Sequence, residues 1–146
     1  MSDKNFSTSF PVSQSPEVVF DAINNVRGWW SEAIEGSTDN LGAVFNYHYQ
    51  DIHRCTFEIT EFSPGTKIVW HCVDNYFNFI KDKNEWTGTK IIFEISEKDN
   101  KTQLRFTHVG LVNGIECYDA CSNAWSQLIQ ESLFSLITTG KGKKIF

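Results

Sequence analysis

Apolar and polar positions alternate through the middle of this chain and recur at helical spacing towards both ends. Phe6 to Val12 reads as a first strand, stopped near Pro11. The period changes in "SPEVVFDAINN", where Val19, Phe20, Ile23 and Val26 fall on one helical face. Ser15 is placed to cap that helix, and Pro16 takes its first position, where no N–H is needed. Gly28 ends or bends the helix. "WWSEAIEG" is then expected to form a short second helix that stops near Gly36.

Hairpin arithmetic organises the middle of the chain. "RCTFEITEFSPGTKIVWHCV" turns at Ser63-Pro64-Gly65-Thr66. Pairing Phe62 with Lys67 sets Ile59 against Trp70, Phe57 against Cys72 and Glu58 against His71. One face then collects Cys55, Phe57, Ile59, Ile68, Trp70 and Cys72, and the other is polar, as in a half-buried antiparallel ladder. In "TKIIFEISEKDNKTQLRFTHVG" a two-residue turn at Asp99-Asn100 pairs Ile95 with Leu104, Phe93 with Phe106 and Ile91 with His108. The same register sets Glu94 beside Arg105. "FNYHYQDIHRCTF" leaves two registers open. A three-residue loop, Asp51-Ile52-His53, places Tyr47 opposite Phe57 and buries the aromatics; a two-residue turn points Asn46 and His48 inward. The first is preferred. "DNYFNFIKDKNEWTG" reads as a long apolar connection, with Gly88 marking a bulge before the next strand.

The longest helix closes the chain, from Glu116 to Thr139. Cys121, Ala124, Trp125, Leu128, Ile129, Ser132, Leu133 and Leu136 form its stripe, and Gly140 is its stop. The fold class is therefore α+β, as one domain over residues 1–146, with two short helices after the first strand. Seven strands at about 4.8 Å span about 29 Å. One helix is about 10–12 Å thick. The sheet must curve around the helix, and a cavity between them is expected.

Composition sharpens that picture. The chain holds 12 Phe, 5 Trp and 4 Tyr, 14% of its 146 residues. Each buried ring removes about 150–250 Å² from water, so these rings either fill a thick core or line a space. The expected lining is Phe45, Tyr47, Phe57, Trp70, Phe93, Phe106, His108 and Trp125, with Trp30 at the rim near Phe77. Of the adjacent pair Trp29 and Trp30, one ring is expected on the core and the other at that rim. A net charge of −5 argues against nucleic acid or an anionic membrane as partner. No run approaches the roughly 20 apolar residues of a membrane span. A cytoplasmic protein with four reduced cysteines is expected.

The stretches "SPEVVFDAI", "WW", "EFSPGTKIVWHC", "EWTGTKIIFEIS", "TQLRFTHVGL" and "AWSQLIQESLFSLITTGKGKK" carry a family likeness over nearly the whole chain. The chain resembles the SRPBCC superfamily, the START-like or helix-grip fold of birch-pollen-allergen type. The branch it is similar to contains the C-terminal domain of the activator of the large heat-shock chaperone ATPase. The resemblance implies a curved sheet gripping a long C-terminal helix and a pocket for a small hydrophobic molecule. A chaperone partner is a second implication, and a cyclase- or hydrolase-type enzyme a third.

Candidate chemistry is sparse. His108 is phased inward, either as an acid/base for a ligand or as a core histidine satisfied by a backbone group. His71 faces outward opposite Glu58. His48, Asp51 and His53 flank a turn without a further metal ligand, so no metal site is expected. Cys117 and Cys121, one helical turn apart, read as small buried residues, and Cys55 and Cys72 as buried thiols without reactivity. No cofactor fingerprint, nucleophile elbow or phosphate loop occurs, so no catalytic residue or cofactor is assigned.

Overall fold

The computed structural model describes residues 5–31, 34–49, 53–77, 86–111 and 118–143, with Tyr49 and Phe77 described by their backbone alone. β1 (Phe6–Val12) leads into α1 (Pro16–Asn24) and α2 (Val26–Trp29). Then come β2 (Ile34–Gly36), β3 (Val44–Tyr49), β4 (His53–Ser63), β5 (Lys67–Phe77), β6 (Lys90–Lys98) and β7 (Lys101–Val109). The seven strands form one antiparallel sheet in the order β1-β7-β6-β5-β4-β3-β2. A terminal rod crosses its inner face: α3 (Tyr118–Gln127), a π-helical stretch (Leu128–Leu133) and α4 (Phe134–Thr139). The start expected at Glu116 lies outside the described residues.

α1 begins as its sequence dictates. Ser15 Oγ accepts the Val18 N–H at 3.3 Å and Pro16 opens the helix. Val19 and Ile23 are fully buried. Asn25 breaks the helix before Gly28 is reached. The second helix is therefore only Val26–Trp29, and Ile34–Gly36 is a strand paired with β3, contrary to the helix expected there. Arg27 explains the change. Its Nε and Nη2 donate to the carbonyls of Ile34 and Gly36 at 3.0 and 2.7 Å, so α2 holds the strand from its side. Gly36 has φ +105°, and a Cβ there would collide with the Val44 carbonyl oxygen.

β6 and β7 pair in the expected register, with Asp99 and Asn100 at φ 54° and 65° in the turn. β4 and β5 keep Phe57–Cys72, Glu58–His71 and Ile59–Trp70 opposite one another. Thr60 is then an extra residue, so Phe62 meets Ile68 instead of Lys67 and its ring turns inward against Phe20 at 5.0 Å. Val73 is a second extra residue, on β5. It carries the strand on to Phe77, where an apolar connection is expected from the sequence. β3 pairs Phe45 with Phe57 and Tyr47 with Cys55, two residues from the preferred register. A shift of two keeps every side chain on its face, so Phe45 and Tyr47 are buried and Asn46 and His48 exposed.

The π-helical stretch inserts one residue into the terminal stripe. Beyond Leu133 the buried position is accordingly Ile137, with Leu136 only partly covered. Gly140 closes the rod in the left-handed conformation at φ 85°. The tail then doubles back. Ser132 Oγ lies 2.6 Å from the Trp29 carbonyl and 2.8 Å from that of Lys143, with one proton to donate, and it accepts the Lys143 N–H at 3.0 Å. Gly142 passes so near the Gly28 carbonyl that a Cβ would collide with it. The tail thus straps α2 to the rod. Gly142→Ala is expected to lower stability by about 1–3 kcal/mol through this overpacking. Urea melts alongside Ser132→Ala check it; a variant as stable as wild type means the strap does not bear on α2.

Candidate functional site

The inner face is built from rings. Eight of the ten residues expected to line a cavity, Trp30, Phe45, Tyr47, Phe57, Trp70, Phe93, Phe106 and Trp125, are buried, and each ring touches another of the set. Trp70 sits centrally, with Phe45 at 4.9 Å, Phe57 at 5.5 Å and Phe93 at 4.9 Å between centroids. Phe93 continues to Phe106 at 5.4 Å, and Phe106 to Trp125 at 4.8 Å. Rings thus occupy the middle of the grip, where sheet and helix alone leave a gap. The side chain of Phe77 lies outside the described residues.

The adjacent tryptophans divide this interior between them. Trp29 points to the centre, against Trp70 and Phe93, and its indole N–H donates to the Ile23 carbonyl at 3.0 Å. Trp30 points towards β3 and the rod, stacked on Tyr47 at 4.4 Å and tilted against Trp125 at 5.1 Å. Both are buried.

Residues outside the expected lining complete this end of the grip. His53 meets Tyr47 edge-on at 5.4 Å and Trp86 at 4.9 Å. Trp86 stacks on Trp125 at 5.7 Å. Trp30, Tyr47, His53, Trp86 and Trp125 therefore form a closed circuit, each ring touching the next. On the adjoining sheet, Asn75 pairs with Cys55, beside Tyr47. Strict alternation from inward Cys72 would turn Asn75 outward. The bulge at Val73 reverses the phase and buries it to 1% exposure. Its Oδ1 accepts the Trp86 N–H at 3.0 Å.

His108 is fully buried among these rings, and both its nitrogens are engaged. Trp125 Nε1–H donates to Nδ1 at 3.1 Å. The Thr89 hydroxyl donates to the Trp86 carbonyl at 2.6 Å, so it accepts from His108 Nε2–H at 2.8 Å. This chain fixes the neutral tautomer with its proton on Nε2. Burial pulls the pKa down from 6.5 to about 3. His108 is a structural linker between rod and sheet, with no nitrogen left for a substrate proton. Its partners are side chains, where a backbone group was expected. Burial likewise lowers His53 to about 3. It raises the Cys55 thiol, and with it Cys72, which is pushed up to about 12, so neither is a nucleophile at neutral pH. Cys121 is disulfide-bonded, which corrects the expectation of four reduced thiols; the spacing of cysteines along a chain does not report oxidation. Among the described residues no three His, Cys, Asp or Glu side chains gather for a metal, and no helix is long and apolar enough to cross a membrane.

The family model described as Activator of Hsp90 ATPase homolog 1-like protein matches residues 13–138. The chain belongs to that family. The match runs from just before α1 to the last turn of the rod and takes in β2 to β7, leaving out β1. No curated protein matches the chain. Among solved structures it is similar to the Aha1 dimer from Colwellia psychrerythraea, at 23% identity and TM-score 0.75, covering 95% of this chain and 99% of that one. It is also similar to Mll3558 from Rhizobium loti, at 17% identity and TM-score 0.68, covering 93% and 97%. DynU16, from the dynemicin biosynthetic locus, aligns at 14% identity and TM-score 0.68, covering 97% of this chain and 49% of its own. At these identities the likeness establishes the helix-grip fold of the family and leaves activity to be argued from the site.

Proposed function

We propose that this family member is a binding module for a small hydrophobic or aromatic molecule, seated at the mouth of the grip. The observation that carries this is the circuit of Trp30, Tyr47, His53, Trp86 and Trp125, assembled from five separate stretches of chain. A filled core needs rings in contact; here the half-buried His53 and the buried Asn75 add polar atoms beside the rings. The rings touch, so a guest enters by parting Trp30 from its neighbours. Trp30 lies outside the strand ladder, at the end of the four-residue α2, so parting it from its neighbours breaks no sheet hydrogen bond. A thermal-shift screen with fatty acids, sterols, flavonoids and naphthalenes, followed by tryptophan quenching, tests the proposal. A shift of several degrees with one class supports it; no shift and no quenching with any class overturns it.

Family membership favours a second reading, modulation of the heat-shock chaperone ATPase. A chaperone ATPase rate unchanged at saturating protein would remove it.

A further inference from the structure

Asn75 offers a donor that the fold does not use. Its amide orientation is set, because Oδ1 must face the Trp86 N–H. Nδ2 is then directed away from that bond, is buried, and has no partner among the described residues. The rest of the local chain is satisfied from end to end. Trp125 donates to His108, His108 to Thr89, Thr89 to the Trp86 carbonyl, and the Trp86 N–H to Asn75. The Nδ2 protons are its open end. A buried donor left unmet costs about 1–3 kcal/mol, and such groups call for an explanation by water or ligand. The placement is also particular: an added residue at Val73 turns Asn75 inward, into the row of Tyr47 and Cys55 below the ring circuit.

We infer that Asn75 is the specificity-determining residue of the mouth, and that the guest is an uncharged planar molecule bearing a carbonyl oxygen that accepts from Asn75 Nδ2. This rests on the binding reading above and adds the guest's polarity to it. Aromatic walls select a flat apolar body. The Asn75 N–H donor beside them selects an acceptor and works against an ammonium group. His53 and His108 stay neutral in the folded protein, so neither supplies a charge for a carboxylate.

Paired probes separate this inference from its foundation. The full chain is titrated with 1-acetonaphthone and with 1-ethylnaphthalene, which share a ring system and differ in the carbonyl, reading tryptophan quenching. The ketone is expected to bind about tenfold more tightly, the worth of one hydrogen bond to an otherwise unmet donor. Asn75→Asp in its ionised form keeps an oxygen for the Trp86 N–H and replaces the free donor with an acceptor; it should erase the preference, read as the ratio of the ketone and ethylnaphthalene affinities in the same variant. In wild-type protein, the Asn75 side-chain amide resonances should move on adding the ketone and stay put with the hydrocarbon, a readout that needs no variant. Equal affinity for both probes, or ketone binding that leaves those resonances unmoved, overturns the role of Asn75 and leaves the binding module standing. Failure of both probes to bind counts against the module and this inference together. Ordered water on Nδ2 that persists when the ketone is bound also overturns the inference.

Discussion

Trp70→Ala is expected to lower the stability of the fold by about 3–5 kcal/mol. The residue is fully buried on β5, the strand in the middle of the sheet order. Its ring meets Trp29 at 6.4 Å and Trp30 at 6.2 Å as well as Phe45, Phe57 and Phe93. Removing it leaves a hole bounded by large rigid rings, and rings on strands close such a hole poorly because their backbones are fixed by the ladder. Trp70→Phe should cost far less, about 1 kcal/mol. The indole N–H has no partner among the described residues, so trimming the indole to a phenyl loses volume but no hydrogen bond. Urea denaturation at pH 7 measures both variants. If the phenylalanine variant is as unstable as the alanine one, the indole N–H is bonded in solution and Trp70 belongs to the polar chain of the mouth.

That contrast also shows where the sequence is a sufficient guide. The face on which Trp70 lies follows from alternation alone, and Phe93 and Phe106 follow from the Asp99–Asn100 turn, because a two-residue turn permits one register. The seven-strand sheet and the terminal rod are legible for the same reason: period and turn chemistry are local. What alternation cannot deliver is a change of phase. Thr60 and Val73 are extra residues that nothing in their chemistry announces, and they turn Phe62 and Asn75 inward. Ile34–Gly36 is too short to show a period, and it becomes a strand through two bonds from Arg27, seven and nine residues away. The candidate site divides along the same line. Its hydrophobic members are visible as inward-phased rings. Asn75, His53 and Trp86 are not, since a bulge and the packing of three strand ends bring them together. Whether the rings fill the grip or line it lies beyond the pattern, because inward phase is the same in both cases.

Acid should weaken this fold through His108, and the effect has a definite sign. Folded, His108 is neutral and burial holds its pKa at about 3; its ordinary value is 6.5. Below pH 6.5 the unfolded chain takes up a proton that the folded chain refuses until the pH nears 3. Unfolding is therefore coupled to proton uptake, and stability falls as pH falls, by about 1.4 kcal/mol per pH unit for one such group. Across the whole interval that is about 5 kcal/mol, comparable to the stability of many domains. Above pH 6.5 the group contributes no slope. His53 acts in the same direction over the same range. Exposed carboxylates also titrate at the acid end, so the contribution of His108 is isolated by difference. In His108→Gln the side-chain oxygen can accept from Trp125 Nε1–H and its amide can donate to Thr89, but nothing titrates. At pH 7 the variant should be less stable by about 1–2 kcal/mol for imperfect packing. At about pH 4.5 the gap should close or reverse, because the wild type alone carries the acid penalty of His108. Urea melts at about pH 7.0, 5.5 and 4.5 give the two slopes. Parallel slopes would mean that His108 protonates in the folded state near its ordinary value, and that water reaches the Trp125–His108–Thr89 chain.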